Sequence, residues 1–293
     1  MGEPRLFCFG LGYTARVLAA ALMGEGWTVA GTCRDEATRA DLAADGIDAF
    51  LFDRDRPLDD AGTALGGATH LLSSVPPDAE GDPVLARHAG AIAAMEGLAW
   101  AGYLSSTGVY GDTGGAPVDE TAAVNPTSER GRRRAEAEEG WLDLRRAAGV
   151  PVHVFRLSGI YGPGRSALDT VRAGQARRID KPGHLFARVH VDDIAAVLRA
   201  SMARPGPGAV YNVCDDEPAP AADVVAFACE LLGVDAPPLV PFHQAAGEMS
   251  PMALSFWRDN RRVDNSRIKG ELGVRMKFPD YRAGLRAVLA AEE

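Results

Sequence analysis

The 293-residue sequence has no apolar run long enough to cross a membrane, and no signal peptide precedes its first apolar segment. These absences argue against a membrane protein and predict a cytoplasmic one. The four cysteines lie far apart without the spacing of metal ligands, which predicts buried thiols in a reducing compartment and no metal site. A formal net charge of −9 argues against nucleic acid or an acidic membrane surface as the main partner.

A glycine-rich turn at residues 10–15 is the most informative feature that the sequence does contain. It lies between an apolar run at 6–9 and an amphipathic segment at 16–23, in the pattern Gly-x-Gly-x-x-Ala. In such a turn the first glycine allows a tight bend, the second lets a pyrophosphate approach the backbone, and the alanine allows close packing. The alternative is a tight packing turn. The predicted dinucleotide contacts are Gly10, Leu11, Gly12, Tyr13, Thr14 and Ala15.

Predicted strands and helices alternate through the first half of the chain. Apolar strands are predicted at residues 6–9, 27–32, 47–52, 69–75, 102–106 and 152–157, with helices at 83–98 and 128–148 among the connections. This alternation predicts an α/β protein with a Rossmann-type doubly wound parallel sheet. Ligands then bind at the carboxyl ends of the strands, where the strand order reverses.

The end of the second predicted strand bears on the choice of cofactor. An NAD site usually carries a carboxylate there, whereas this chain has Cys33 followed by Arg34. A guanidinium in that place favours the 2′-phosphate of NADP, so we predict NADP in preference to NAD. Alternatively, Arg34 is a solvated loop charge. Asp53 is predicted either to bind the adenine amino group or to cap the next turn, and Ser74 is also assigned to the cofactor site.

Three further motifs carry a resemblance to a known family. They are LSSTGVYG at 104–111, RLSGIYGPG at 156–164 and RVHVDDIA at 188–195. In this order, together with the glycine turn, they resemble the extended short-chain dehydrogenase/reductases, the branch of the nucleotide-sugar epimerases and dehydratases. The resemblance implies a Rossmann domain of about seven strands, a smaller C-terminal substrate lobe, and a substrate such as a nucleotide sugar.

The resemblance also implies a division of the chain. The dinucleotide-binding domain is predicted at residues 1–160, with 190–214 returning to it. The smaller substrate lobe is predicted at 161–189 and 215–293. Family analogy further suggests a homodimer through the long helices that follow the fourth and fifth strands.

One segment departs from the family pattern. The family carries a tyrosine and a lysine four residues apart on the helix after the fifth strand, but Arg130 and Arg134 stand at those positions here. The spacing still places both side chains on one helix face, toward the nicotinamide region. Arg134 can replace the lysine as a fixed positive charge. Arg130 cannot serve as a general acid or base, since a guanidinium pKa lies above about 12.

Other hydroxyl groups remain as candidates for catalysis. Ser106 aligns with the family's catalytic serine or threonine, whose hydroxyl binds the substrate oxygen, and Thr107 is its neighbour. Tyr110 and Tyr161 are the phenols best placed to act instead of the missing tyrosine. The alternative for both is packing or hydrogen bonding beneath the loops. The predicted catalytic set is Ser106, Thr107, Tyr110, Arg130, Arg134 and Tyr161.

Three functions are compatible with these observations. The first is an atypical NAD(P)-dependent oxidoreductase or epimerase acting on a nucleotide sugar or a related hydroxylated small molecule. The second is a non-catalytic NAD(P)-binding sensor or partner-binding module that kept the fold and lost the base. The third is a lyase- or dehydratase-like enzyme without net redox change.

Overall fold

The structure is a computed structural model that describes residues 3–292 of the chain. Its strands are β1 Arg5–Phe9, β2 Thr28–Cys33, β3 Asp48–Leu51, β4 His70–Ser73, β5 Trp100–Ser106, β6 Pro117–Val118, β7 Val152–Leu157, β8 Gly159–Tyr161, β9 Arg178–Asp180, β10 Arg188–His190, β11 Val210–Val213, β12 Leu239–Pro241 and β13 Arg262–Val263.

The helices alternate with the strands. They are α1 Tyr13–Met23, α2 Glu36–Ala44, α3 Ala61–Leu65, α4 Pro83–Ala93, α5 Glu129–Ala148, α6 Ala167–Arg172, α7 Val191–Ala203, α8 Ala221–Leu232, α9 Phe242–Ala245, α10 Pro251–Arg258, α11 Ser266–Leu272 and α12 Tyr281–Ala290. Two short 3₁₀ helices cover Thr107–Tyr110 and Ala246–Glu248. Within residues 3–292, no helix is both long enough and apolar enough to span a membrane.

The central sheet has seven strands in the order β11-β7-β5-β4-β1-β2-β3. The pairs β1–β2, β1–β4, β2–β3 and β4–β5 are parallel. The order reverses between β1 and β4, which is the switch point of a doubly wound sheet. The predicted Rossmann-type α/β fold is therefore confirmed.

The helix predicted over residues 83–98 is shorter in the structure. Asp82 caps its first turn by accepting hydrogen bonds from the N–H groups of Val84 and Leu85, and α4 ends at Ala93. A turn follows, in which Met95 N–H donates to the Ile92 carbonyl, and Gly97 adopts φ +77°. A left-handed residue breaks the helical path, so the apolar residues beyond it belong to the loop before β5.

Two compact units make up the described chain. The first comprises residues 3–106, 132–156 and 194–211, and its core is built around large buried side chains such as Phe7, Tyr103 and Trp141. The second comprises residues 107–131, 157–193 and 212–292. Its core packs Tyr161 and Leu168 with apolar residues of α8 and α12.

A buried ion pair joins α5 to the sheet inside the first unit. Arg156 on β7 donates from Nη2 to Glu138 Oε2 on α5 at 2.8 Å, and both side chains are about 5% exposed. Ser105 on β5 donates its hydroxyl to the same carboxylate. One carboxylate therefore binds two neighbouring strands, and it sets the position of α5 against β5 and β7.

We expect Glu138→Ala to lower the free energy of unfolding strongly, because it leaves the Arg156 charge buried without its partner. Breaking a buried pair from one side typically costs about 3–5 kcal/mol. The measurement is urea unfolding followed by circular dichroism. Glu139→Ala is the matched control, since Glu139 is exposed and forms a surface ion pair with Arg146; such pairs contribute at most about 1 kcal/mol. Equal losses for the two variants would contradict the assignment.

Candidate functional site

Gly10 forms the bend between β1 and α1. Its φ is +83°, its N–H donates to Thr32 Oγ1 at 2.8 Å, and its carbonyl accepts a hydrogen bond from Ser74 Oγ. A Cβ added here would lie 3.0 Å from Ser74 Oγ and 3.1 Å from Val75 Cγ2. Glycine is therefore required on both conformational and steric grounds. Ser74 holds the turn from the neighbouring strand β4.

The start of α1 is open. Gly12 is its N-cap residue at φ −87°, and no side chain caps the helix. A Cβ added at Gly12 would meet nothing within 4 Å. The first N–H groups of a helix have no partner within the helix and attract anions, so this open space fits a pyrophosphate.

The other residues of the glycine-rich turn fix its position against β2 and α1. Leu11 is buried and donates its N–H to the Thr32 carbonyl at 2.8 Å. Thr14 and Ala15 lie on the buried face of α1, while Tyr13 is half-buried. The residues present therefore fit a dinucleotide, and their contact with it stays a prediction.

Arg34 is exposed directly beyond β2, and a second guanidinium lies beside it. Arg56 donates from Nη2 to the Arg34 carbonyl at 2.5 Å. The nearest following acid, Asp35, is used as the cap of α2, where it accepts the Thr38 N–H at 2.8 Å. The sequence analysis did not identify Arg56. Its contact with the end of β2 is a tertiary contact, made where the chain turns back after β3.

Asp53 is occupied within its own turn. Its Oδ1 accepts the N–H groups of Asp55 and Arg56, and its Oδ2 lies 3.1 Å from Arg56 Nη2. This is the capping arrangement that the sequence left open as one alternative. The carboxylate also orients Arg56 toward the end of β2. A contact between Asp53 and adenine stays a prediction.

Arg134 of α5 lies against the carboxyl-terminal half of β5, the strand that ends at Ser106. Its Nη1 donates to the Leu104 carbonyl at 2.7 Å and to Tyr103 Oη at 3.2 Å. Its guanidinium also lies 5.7 Å from the centre of the Tyr103 ring. These contacts hold a fixed positive charge beside the strand that carries the predicted substrate-binding hydroxyl.

Tyr103 is a phenol that the sequence analysis did not single out. It is fully buried in β5, and burial raises its pKa above the ordinary value for tyrosine. The side chain therefore stays protonated at neutral pH and acts as an acceptor for Arg134. No sequence signal marks it, because its position beneath α5 depends on how the helix packs.

Tyr110, in the second unit, is buried at the end of a 3₁₀ turn. Its hydroxyl donates to Asn212 Oδ1 at 2.8 Å. Asn212 is held in turn by Glu120, which accepts its N–H at 2.7 Å, and by the Asp264 carbonyl. Thr107, at the start of the same turn, is also buried. Tyr110 thus belongs to a packed polar network.

Tyr161 is likewise built into the core of the second unit. Its hydroxyl donates to the Asp280 carbonyl at 3.4 Å, and its ring meets His190 edge-on at 5.2 Å. Burial raises the pKa of Tyr161 well above its ordinary value, so the phenol holds its proton. Its proposed part in proton transfer stays a prediction.

Arg130 is exposed in the first turn of α5. Its guanidinium lies 5.6 Å from the centre of the Phe256 ring on α10. Phe256 is itself 56% exposed and Met252, one turn earlier on α10, is 61% exposed. In the second unit, the arginine at the family's tyrosine position therefore lies beside an exposed apolar helix face.

The sequence and the structure are both similar to those of known proteins. The model of the NAD dependent epimerase/dehydratase family matches residues 90–214. Protein YeeZ of Escherichia coli (strain K12) is 30% identical over 284 residues, covering 92% of this chain and 95% of YeeZ. A solved structure described as a functionally unknown conserved protein from Silicibacter pomeroyi DSS is 52% identical, with a TM-score of 0.90 and 99% of both chains covered.

A structure with a named activity shares the fold. UDP-glucuronic acid 4-epimerase from Bacillus cereus, solved in complex with NAD, has a TM-score of 0.76 at 15% identity, covering 97% of this chain and 96% of that one. The sheet order and the glycine turn thus define a Rossmann-type α/β protein. The chain belongs to the NAD-dependent epimerase/dehydratase family, as its sequence motifs had indicated.

We expect Gly12→Val to abolish dinucleotide binding while leaving the fold intact. The added side chain enters open space at a φ that any residue adopts, so it fills only the volume that the pyrophosphate needs. The measurement is titration calorimetry with NADH and NADPH, alongside a thermal melt. Gly90→Val is the control, because Gly90 is exposed on α4 and also faces open space. Retained binding in Gly12→Val would place the dinucleotide elsewhere.

Proposed function

We propose that the protein is an atypical NADP-dependent oxidoreductase or epimerase-like enzyme acting on a nucleotide sugar or a related hydroxylated small molecule. The observation that carries this proposal is the open glycine turn at Gly12, which stands at the switch point of the sheet before an uncapped helix. The 4-epimerase that shares the fold was also solved with UDP-glucuronic acid and NAD bound. That structure supports a nucleotide sugar as the class of substrate.

The residues of the first unit have separate parts in this proposal. Gly10 to Ala15 bind the pyrophosphate through backbone N–H groups, and Arg34 with Arg56 binds the 2′-phosphate. Arg134 holds a positive charge at β5 and donates to a ribose hydroxyl. A nicotinamide bound there would supply or accept the hydride. The Ser106 hydroxyl orients the substrate oxygen at the end of the same strand.

Proton transfer in this enzyme differs from that of the tyrosine-bearing relatives. A guanidinium is a poor general acid or base, so we give Arg130 no part in the proton exchange. Tyr110 and Tyr161 are buried and donate inside the second unit. We therefore assign the proton exchange to ordered water beside Ser106, and we assign Thr107, Tyr110 and Tyr161 to packing within the second unit.

The remaining assignments are part of the same proposal. The segments at residues 161–189 and 215–293 would supply most substrate contacts, while the segment at 1–160, with 190–214, would hold the dinucleotide. A homodimer through α4 and α5 and a cytoplasmic location complete the proposal.

A second candidate function is a dinucleotide-binding protein without turnover. The burial of both candidate phenols favours it, because neither Tyr110 nor Tyr161 presents a free hydroxyl group within the second unit. Such a protein would act as a sensor, because its state would depend on whether the reduced or the oxidised cofactor is bound. Only a substrate screen separates the two functions.

We expect NADPH to bind more tightly than NADH and to stabilise the fold more. A ligand at a hundred times its dissociation constant adds about 2.7 kcal/mol to the free energy of unfolding. The double variant Arg34→Ala/Arg56→Ala removes two charged donors to the 2′-phosphate, so NADPH affinity falls at least about tenfold and NADH affinity stays unchanged. Titration calorimetry gives both affinities. Arg146→Ala, an exposed arginine on α5, serves as control. Equal affinities for the two cofactors in the unmodified protein would refute the preference.

We expect Ser106→Ala to lower kcat on any accepted nucleotide sugar at least about tenfold, because the substrate oxygen loses its hydrogen-bond donor. Arg130→Tyr is expected to bring no gain. In a damaged copy of an ordinary epimerase, that change would restore part of the roughly hundred- to ten-thousand-fold supplied by acid–base catalysis.

The measurements are nicotinamide absorbance, which reports net oxidation or reduction, and NMR analysis of the products, which reports epimerisation or dehydration, over a panel of nucleotide sugars. Arg132→Tyr, at an exposed site on the same helix, controls for the added ring. A clear rise in rate with Arg130→Tyr alone would overturn the atypical mechanism. Intact cofactor binding with no turnover of any substrate would establish the binding protein instead.

A further inference from the structure

A cavity of about 390 Å³ lies inside the second unit, between the β8–α6 loop and helix α12. Its apolar wall is formed by Ala167, Val224 and Leu285 with the rings of Tyr161 and Tyr281, and Arg188 supplies a guanidinium. Ser106, Thr107, Tyr110 and Arg130 do not line it. The volume is within the range of small-molecule sites, which are mostly apolar with a few fixed polar groups.

Arg188 is anchored through one nitrogen only. Its Nη1 donates to the carbonyls of Phe186 at 2.8 Å and Ala219 at 3.0 Å. These two bonds orient the guanidinium plane. Among the described residues, none accepts a hydrogen bond from Nε or Nη2. That edge presents two nearly parallel N–H donors, the arrangement that binds a carboxylate in bidentate fashion.

The charge of Arg188 is not balanced by a direct ion pair. No carboxylate within the described residues lies within 4 Å of its nitrogens, although burial lowers its pKa and so disfavours the bare cation. Among the acidic groups, Asp215 has the largest electrostatic effect on Arg188, and its N–H donates to the Arg188 carbonyl. Burial raises the pKa of Asp215 to about 8, which disfavours its charged form.

The other charged groups of the cavity do not supply the missing anion. Asp169 accepts hydrogen bonds from the N–H and hydroxyl of Ser166, which commits its carboxylate to the cap of α6. Arg165 adds a second positive charge at the wall. Two arginines and one aspartate are thus the charged residues that line the cavity, and its apolar wall favours a hydrocarbon body.

We propose that this cavity is a second ligand site, which binds a small organic monocarboxylate with an apolar body. The carboxylate binds the Nε–Nη2 edge of Arg188, and the hydrocarbon part packs against Leu285, Val224 and the tyrosine rings. The cavity uses none of the glycine turn, Ser106 or Arg134, which distinguishes it by its residues from the proposed dinucleotide site. Its lining, Tyr161 included, lies in the segments that the proposed function gives to the substrate lobe.

The test uses phenylacetate and hexanoate as probes, each against its own neutral amide, with ligand-observed NMR and titration calorimetry on the full chain. It is run without dinucleotide, so its result is independent of the proposed function. We expect each carboxylate to bind at least about tenfold more tightly than its amide, as a charge-assisted bidentate contact requires.

Three variants locate the binding. Arg188→Lys keeps the positive charge and removes the paired N–H donors of the guanidinium. Ala167→Leu narrows the cavity without altering the hydrogen bonds of Arg188. Both should weaken carboxylate binding at least about tenfold. Ala173→Leu, at the exposed far end of α6, should leave it unchanged. Thermal melts confirm that each variant is folded. The proposal is overturned if neither carboxylate binds better than its amide, or if Ala167→Leu binds both as the unmodified protein does.

Discussion

The buried pair between Glu138 and Arg156 is the constraint on which the candidate site depends. Two charges taken out of water require each other, since either one alone in the core costs several kcal/mol. The pair also includes the Ser105 hydroxyl, so it ties α5 to both β5 and β7. Arg134 stands one helical turn before Glu138 on the same face. Its place beside β5 therefore follows from the position of the ion pair.

This constraint explains why α5 can lose the family's tyrosine and lysine and keep its position. The helix is highly charged, and its contact with the sheet rests on Ala137, Glu138 and Trp141 rather than on a broad apolar stripe. Trp141 adds a hydrogen bond to Asp82, the residue that caps α4. A substitution at position 130 thus changes the chemistry at the end of the helix and leaves the contacts of Ala137, Glu138 and Trp141 with the sheet in place.

The two units carry different kinds of polar group. In the first unit, the glycine turn, Arg34 and Arg56 leave donors exposed where an anion can approach. In the second, Tyr110 and Tyr161 form hydrogen bonds within the core, and Arg188 lines a cavity. The first unit therefore offers donors that fit the proposed cofactor, whereas the candidate phenols of the second unit are engaged within its core.

Local sequence patterns determined the fold class and the glycine turn, because strand and helix periodicity and the demand for positive φ at Gly10 are properties of neighbouring residues. The ends of elements were less predictable, as the early stop of α4 before Gly97 shows. Tertiary structure alone decided which groups meet: Arg56 reaches Arg34 across the strand tips, Tyr103 receives Arg134, and Arg188 faces a cavity. The first two contacts join residues 22 and 31 positions apart. The periodicity of a local segment does not predict such contacts, because they form only when the sheet and the helices pack together.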